Sequence, residues 1–417
     1  MTNDHVIALL QQAIAELSMP VSWTPVTDRM TRPKPAPLPL GPAGFAFVDP
    51  VFWAKLWRVT DEKTSSGKSC RMPSNAAVSA WNADSTKFAI IDESMNVVIF
   101  QVGNDGVPTQ LPAVVGGYTE PAFSYLNPRM LYRVGGHNSL IVQVWDLSAN
   151  THLDVVDLTV KFPALPLTNT YANAIVTDGD SMVVLFGGAA ADLHHYVWHS
   201  TTDRLLDTLV LPVPFHIHGI MQERSGRYVL LGPTQPDITA GVAKLWIWDT
   251  QVNVVTPITK LAGGHCAAGY GELINQDCCT SSSYDGLQYQ RRTFVSPDVT
   301  HDLFTDADLP SPKEVFIADH ANWRAARADI IVPFATATFR ESGDPTPWRA
   351  WDDEVLLIHP VTAVVQRICH HQAVHLTGDF WEQPMLHVSP DGKHATFTSN
   401  WGGTLGGRQD VFLVSLV

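Results

Sequence analysis

The chain has 417 residues, of which 45% are hydrophobic and 16% charged, with 28 Gly and 29 Pro. This content suits a large buried core and excludes a wholly disordered chain, while no run reaches the roughly 18–20 apolar residues of a membrane helix. With 27 Lys and Arg against 41 Asp and Glu the formal charge is −14, which disfavours a nucleic-acid partner.

The first residues, Met-Thr-Asn-Asp-His, carry no basic leader and no long apolar run, so no Sec signal peptide is read. Ile7, Leu10, Ile14 and Leu17 fall on one stripe and predict a short helix over residues 4–18. Pro33, Pro35, Pro37, Pro39 and Pro42 follow in an extended arm, expected to dock on its own body or on a protein partner. Residues 1–45 form this helix and arm, and residues 46–417 the body. The five cysteines, Cys70, Cys266, Cys278, Cys279 and Cys369, show no CxxC pair and read as reduced thiols. A cytoplasmic protein, or a component of an assembled particle, is the expectation.

From residue 79 onward one pattern recurs: a short strand, a polar turn, an apolar strand, then a strand often bearing Trp and ending in Asp. Successive copies turn at Trp81-Asn82-Ala83-Asp84, Asn127-Pro128, Asp178-Gly179 and Ser225-Gly226, and the last at Asp391-Gly392. Two less regular copies start near His265 and His320. Seven copies at a spacing of roughly fifty residues predict an all-β, seven-bladed propeller. The last copy ends after its third strand, and the alternating segment at residues 54–59 supplies the missing one, closing the ring.

In a propeller the first strand of each blade runs beside the central channel, so residues remote in sequence converge there. The starts of these strands hold His216 and His218, His265, His320 and His387, with Tyr171 and Asn173 in the third blade. Imidazoles at a convergent site serve as metal ligands or in proton transfer. Small residues surround His265 in Gly263-Gly264-His265-Cys266-Ala267-Ala268-Gly269-Tyr270, and Asn275 and Gln276 follow as polar contacts for a ligand. Arg292 and Arg324 are candidates to hold a carboxylate, and Trp323 to stack on a sugar ring. No Walker loop, GxSxG elbow or HExxH motif is present.

The closing copy, Gln383-Pro384-Met385-Leu386-His387-Val388-Ser389-Pro390-Asp391-Gly392-Lys393, resembles that of TolB-type propellers, and within them the oligogalacturonate lyases. The resemblance implies β-elimination on an acidic, uronate-containing oligosaccharide, with a divalent metal at the channel mouth held by His and Gln. His320, Gln383 and His387 are the metal ligands so implied. Aligned on Ser389-Pro390-Asp391-Gly392, this chain has Gln383 and Met385 where those lyases carry two alternating His, and His387 stands two residues later. For the chemistry, His265 and His320 would move protons while Arg324 or Arg292 neutralises the carboxylate. The alternative is a non-catalytic propeller that binds glycan or protein within a larger assembly.

Overall fold

A computed structural model describes residues 24–75, 77–115, 120–134, 140–165, 172–187, 195–208, 217–233, 245–259, 266–277, 288–303, 317–340, 347–377 and 380–417. The helix expected over residues 4–18 lies outside them.

Seven antiparallel sheets form the ring. Blade 1 runs Cys70–Arg71, Lys87–Asp92, Val97–Val102 and Pro108–Val115, and blade 2 runs Ala122–Phe123, Met130–Val134, Ile141–Asp146 and Thr151–Asp157. Blades 3 to 6 have Ala172–Val176, Ile217–Gln222, Cys266–Ala268 and Ile317–Asn322 as their first strands, and blade 7 has Leu386–Val388. From blade 2 to blade 7 each first strand packs against the next or against its neighbour's second strand, so these strands line the channel. The second and third strands carry the apolar load: Met182–Phe186 and Phe334–Phe339 are buried at every position. Residues of β-branched and aromatic type fill such strands because both faces of a propeller sheet pack on neighbouring blades.

Closure follows the expectation from the sequence. Lys55–Arg58 pairs with Asp410–Ser415 as the fourth strand of blade 7, with Trp57 opposite Leu413, and Ala46–Val48 adds a fifth. A buried ion pair fastens the junction, Arg58 donating to Asp410 through Nη2 at 2.6 Å and Nε at 3.0 Å.

The described part of the arm lies on its own ring, along blades 6 and 7. Val26 bridges to Arg367, Lys34 Nζ meets Asp353 at 2.6 Å, and Trp401 Nε1 donates to the Leu38 carbonyl at 2.8 Å. Arg367, fully buried, donates to Glu354 through Nε and Nη2 and to the Met30 carbonyl at 2.6 Å through Nη1.

Blade 1 differs from the expectation at its first strand. The strand begins at Cys70, not near Ser79, and resumes at Trp81, which bridges to Phe88. Between these parts the chain leaves the sheet. It brings the Pro73 carbonyl to His387 of blade 7 and the Ser79 hydroxyl to the Val176 carbonyl of blade 3.

Candidate functional site

The channel has two ends: an upstream rim, where the first strands begin, and a downstream rim, where they end. The sequence-derived candidates divide between these rims and the blade interiors.

Upstream, His320 lies on the first strand of blade 6, its backbone opposite Ala337, at a register shift between Ile317 and His320. A matching shift stands between Ile217 and Gly219 in blade 4, at His218. Bulges of this kind re-aim side chains at the edges of sheets. His265 immediately precedes Cys266–Ala268 but lies outside the described residues, as do His216 and Tyr171. The side chains of His320, His218, Asn173, Asn275 and Gln276 are also outside them, although each backbone occupies a strand.

His387 is on the first strand of blade 7, 1% exposed. Its Nε2 is 2.8 Å from the Pro73 carbonyl, so that nitrogen carries the proton, and Nδ1 faces the Asn322 amide at 3.4 Å. Burial pushes its pKa down to about 4, with the nearby Arg324 charge acting in the same direction. His387 is therefore a neutral structural imidazole at neutral pH. Gln383 offers a buried Oε1 with no partner among the described residues.

The divalent metal implied by the resemblance is tested by these two side chains. A metal needs a free lone pair on each ligand, and both nitrogens of His387 are engaged. Among the described residues no group of three His, Cys, Asp or Glu converges. Of the implied set, His387 therefore has no lone pair left for a metal, whereas Gln383 keeps its unpartnered Oε1.

Arg71 was missed in the sequence because the blade 1 strand was expected to start later. It stands at the beginning of that strand, with its guanidinium 3.4 Å from the centre of the Trp381 ring. Trp381 belongs to the 3-10 turn Phe380–Glu382 immediately before Gln383, so a cation lies over an aromatic face next to that residue in the chain.

Arg324 is not at this rim. It follows Asn322, the last residue of its strand, by two positions and belongs to the downstream end. Tyr125, Asp178, Arg224 and Tyr270 stand at the same offset after Phe123, Val176, Gln222 and Ala268 in blades 2 to 5. The five side chains meet. Arg224 donates to Asp178 at 2.9 Å through Nε and bonds the Arg324 carbonyl through Nη1, its guanidinium 4.7 Å from the Tyr125 ring and 5.5 Å from that of Tyr270. Tyr270 Oη donates to Asp178. Arg324 crosses the channel to the carbonyls of Ala77 and, at 3.1 Å, Val176.

Two other candidates are structural. Arg292 is on the third strand of blade 5, 1% exposed, bonded to the Pro297 carbonyl at 2.8 Å and Gln290 Oε1 at 2.7 Å. Trp323 is 4% exposed, donates to the Val332 carbonyl at 3.0 Å and packs over Gly269.

No family model and no curated protein matches the sequence. Solved structures do match in fold. An oligogalacturonate lyase in complex with manganese superposes with a TM-score of 0.61 at 13% identity, over 89% of this chain and 96% of that one. An oligogalacturonate lyase from Vibrio parahaemolyticus gives 0.58 at 12% identity over the same shares. In fold, the chain is an oligogalacturonate-lyase-like seven-bladed propeller. The Pan2 WD40 domain of Neurospora crassa also matches, at 0.50 and 9% identity over 85% of this chain and 91% of that one. Likeness at these identities establishes architecture, and activity has to be argued from the site. No helix among the described residues is long and apolar enough to cross a membrane.

Proposed function

We propose that this propeller is a lyase-like, carbohydrate-active protein that performs β-elimination on an acidic, uronate-containing oligosaccharide at the upstream rim. The observation that carries the reading is topological. Among the described residues, His218, His320 and His387 stand on the first strands of blades 4, 6 and 7, which line one channel. Elimination requires a cation at the uronate carboxylate, a base for the C5 proton and an acid for the departing oxygen. Arg71, which stands at this rim, takes the first role, since Arg324 belongs to the downstream end and Arg292 to the third strand of blade 5. His265 and His320 take the proton-transfer roles, and no step is routed through a metal.

One observation favours the second reading, a non-catalytic module that binds glycan or protein: the engagement of both nitrogens of His387. Incubation with a panel of saturated oligouronates separates the two. The lyase reading expects ultraviolet absorbance from the unsaturated product to grow with time. It also expects Arg71→Met to lower kcat/KM by about 10²-fold, the scale of losing one transition-state charge partner. Tight binding of an oligouronate without any absorbance change would establish the binding module instead.

A further inference from the structure

On the downstream side, a cavity of about 250 Å³ lies between blades 5 and 6, lined by Tyr270 and Glu272 of blade 5 and by Trp323 and residues 326–332 of blade 6. Small-ligand sites run from roughly 300 Å³ upward, so this one suits a single small organic molecule. Strand alternation aims Glu272 into it. Along the second strand of blade 5, Glu272–Asp277, Leu273 packs in the cluster of Tyr228 and Phe294, and Ile274 in that of Trp323 and Ala326. Residues two apart share a face, so the Glu272 side chain points with Ile274 toward blade 6. That side chain is 26% exposed. Among the described residues its carboxylate accepts no hydrogen bond, and its ion-pair contact, Arg291 Nη1, stands 3.9 Å away.

The other charges nearby are engaged more closely. Arg327 binds Asp329 through Nε at 3.0 Å and Nη2 at 2.8 Å. Arg224, whose guanidinium stands 5.5 Å from the Tyr270 ring, is bound to Asp178 at 2.8 Å. The cavity thus combines a carboxylate short of donors, two aromatic side chains and an apolar border where Ile330 and Ile331 are half exposed. Glu272 repels an anion, whereas a cation gains a charge-assisted hydrogen bond from the carboxylate and attraction from aromatic rings. We propose that this cavity binds a primary ammonium carried on a short apolar body. The ammonium donates to Glu272, and the body covers Ile330, Ile331 and Val332, removing exposed apolar surface from water. A free alkylamine and the lysine side chain of a protein partner both offer this chemistry.

Calorimetric titration of the full chain with three probes of one size, benzylammonium, benzyl alcohol and benzoate, tests the charge preference. Saturable binding of the ammonium is expected, with the alcohol and the carboxylate much weaker. Glu272→Gln keeps the shape and removes the charge, so it should weaken the ammonium by about 10-fold or more at unchanged Tm, the scale of one hydrogen bond to a charged group. If that variant does not fold, a crystal of the unaltered chain soaked in p-bromobenzylammonium decides, with a bromine anomalous peak expected in the cavity. Cadaverine and a lysine capped at both backbone ends separate the two sources: a preference for the first assigns a free amine, and for the second a partner's side chain. Benzyl alcohol or galactose binding as tightly as the ammonium, an unaltered affinity in Glu272→Gln, or a soaked crystal with no bromine in the cavity would overturn the proposal.

Discussion

At the residue scale, burial decides what the candidate side chains are able to do. His387 has the ring and the position of a ligand, yet it is sealed and donates to the Pro73 carbonyl. With the folded pKa near 4 and the unfolded value 6.5, the native state binds fewer protons than the unfolded chain across that interval. Its contribution is fully present above about pH 6.5 and is lost as the pH falls toward 4, by roughly 3 kcal/mol in all. Burial likewise lowers the pKa of His371, so the direction is shared. His387→Asn keeps a donor for Pro73 and removes the titration. Denaturant unfolding at pH 7.5 and 4.5 should therefore show a smaller pH dependence for that variant, and an unchanged dependence would refute the assignment. Gly269 gives a second local prediction. A Cβ there would stand 2.8 Å from the Trp323 ring, itself held by Phe334 and the Val332 carbonyl. Gly269→Ala should cost about 1–3 kcal/mol by overpacking, read from the shift in unfolding midpoint.

At the scale of elements, the arm behaves as a strap on the ring. Arg367 ties it down while also neutralising Glu354, whose pKa burial raises and Arg367 opposes. Arg367→Met strands a buried carboxylate and frees the Met30 carbonyl, so a loss of about 3–5 kcal/mol is expected. The cut pattern is the specific readout: limited proteolysis should cleave the variant within residues 24–40 before the blades, whereas simultaneous cleavage throughout would mean the arm is not a separable strap. The five residues two positions past the first strands show what was legible at this scale. Asp178-Gly179 and Ser225-Gly226 announce turns through glycine and polar residues, but nothing in the sequence says that Tyr125, Asp178, Arg224, Tyr270 and Arg324 share one rim. That alignment appears only once strand ends are known, because a shift of one residue would send each side chain to the opposite face.

At the scale of the molecule, the ring itself was legible. Turn residues recur at a spacing fixed by four strands per blade, and the strand missing after Val417 is matched by Lys55–Arg58. The start of blade 1 was not, because the excursion from Met72 to Ser79 breaks alternation just where a period would be counted, and Arg71 was hidden with it. Closure depends on the Arg58–Asp410 pair, both partners buried. Arg58→Met should lower stability by about 3 kcal/mol, with Arg408 at 3.1 Å from Asp410 supplying partial relief. Hydrogen exchange should rise first in Asp410–Ser415 and Lys55–Arg58; exchange rising first in blades 3 or 4 would place the weak joint elsewhere.

Handling of an acidic oligosaccharide at the upstream rim is open to direct test. The position of the sugar tests it most directly, in a crystal structure of His320→Ala, chosen to slow turnover, soaked with a saturated oligogalacturonate. A uronate carboxylate is expected beside Arg71 and Trp381, with the glycosidic bond facing the starts of the blade 5 and blade 6 first strands. A sugar bound at the downstream rim, or on the outer face of a blade, would contradict it.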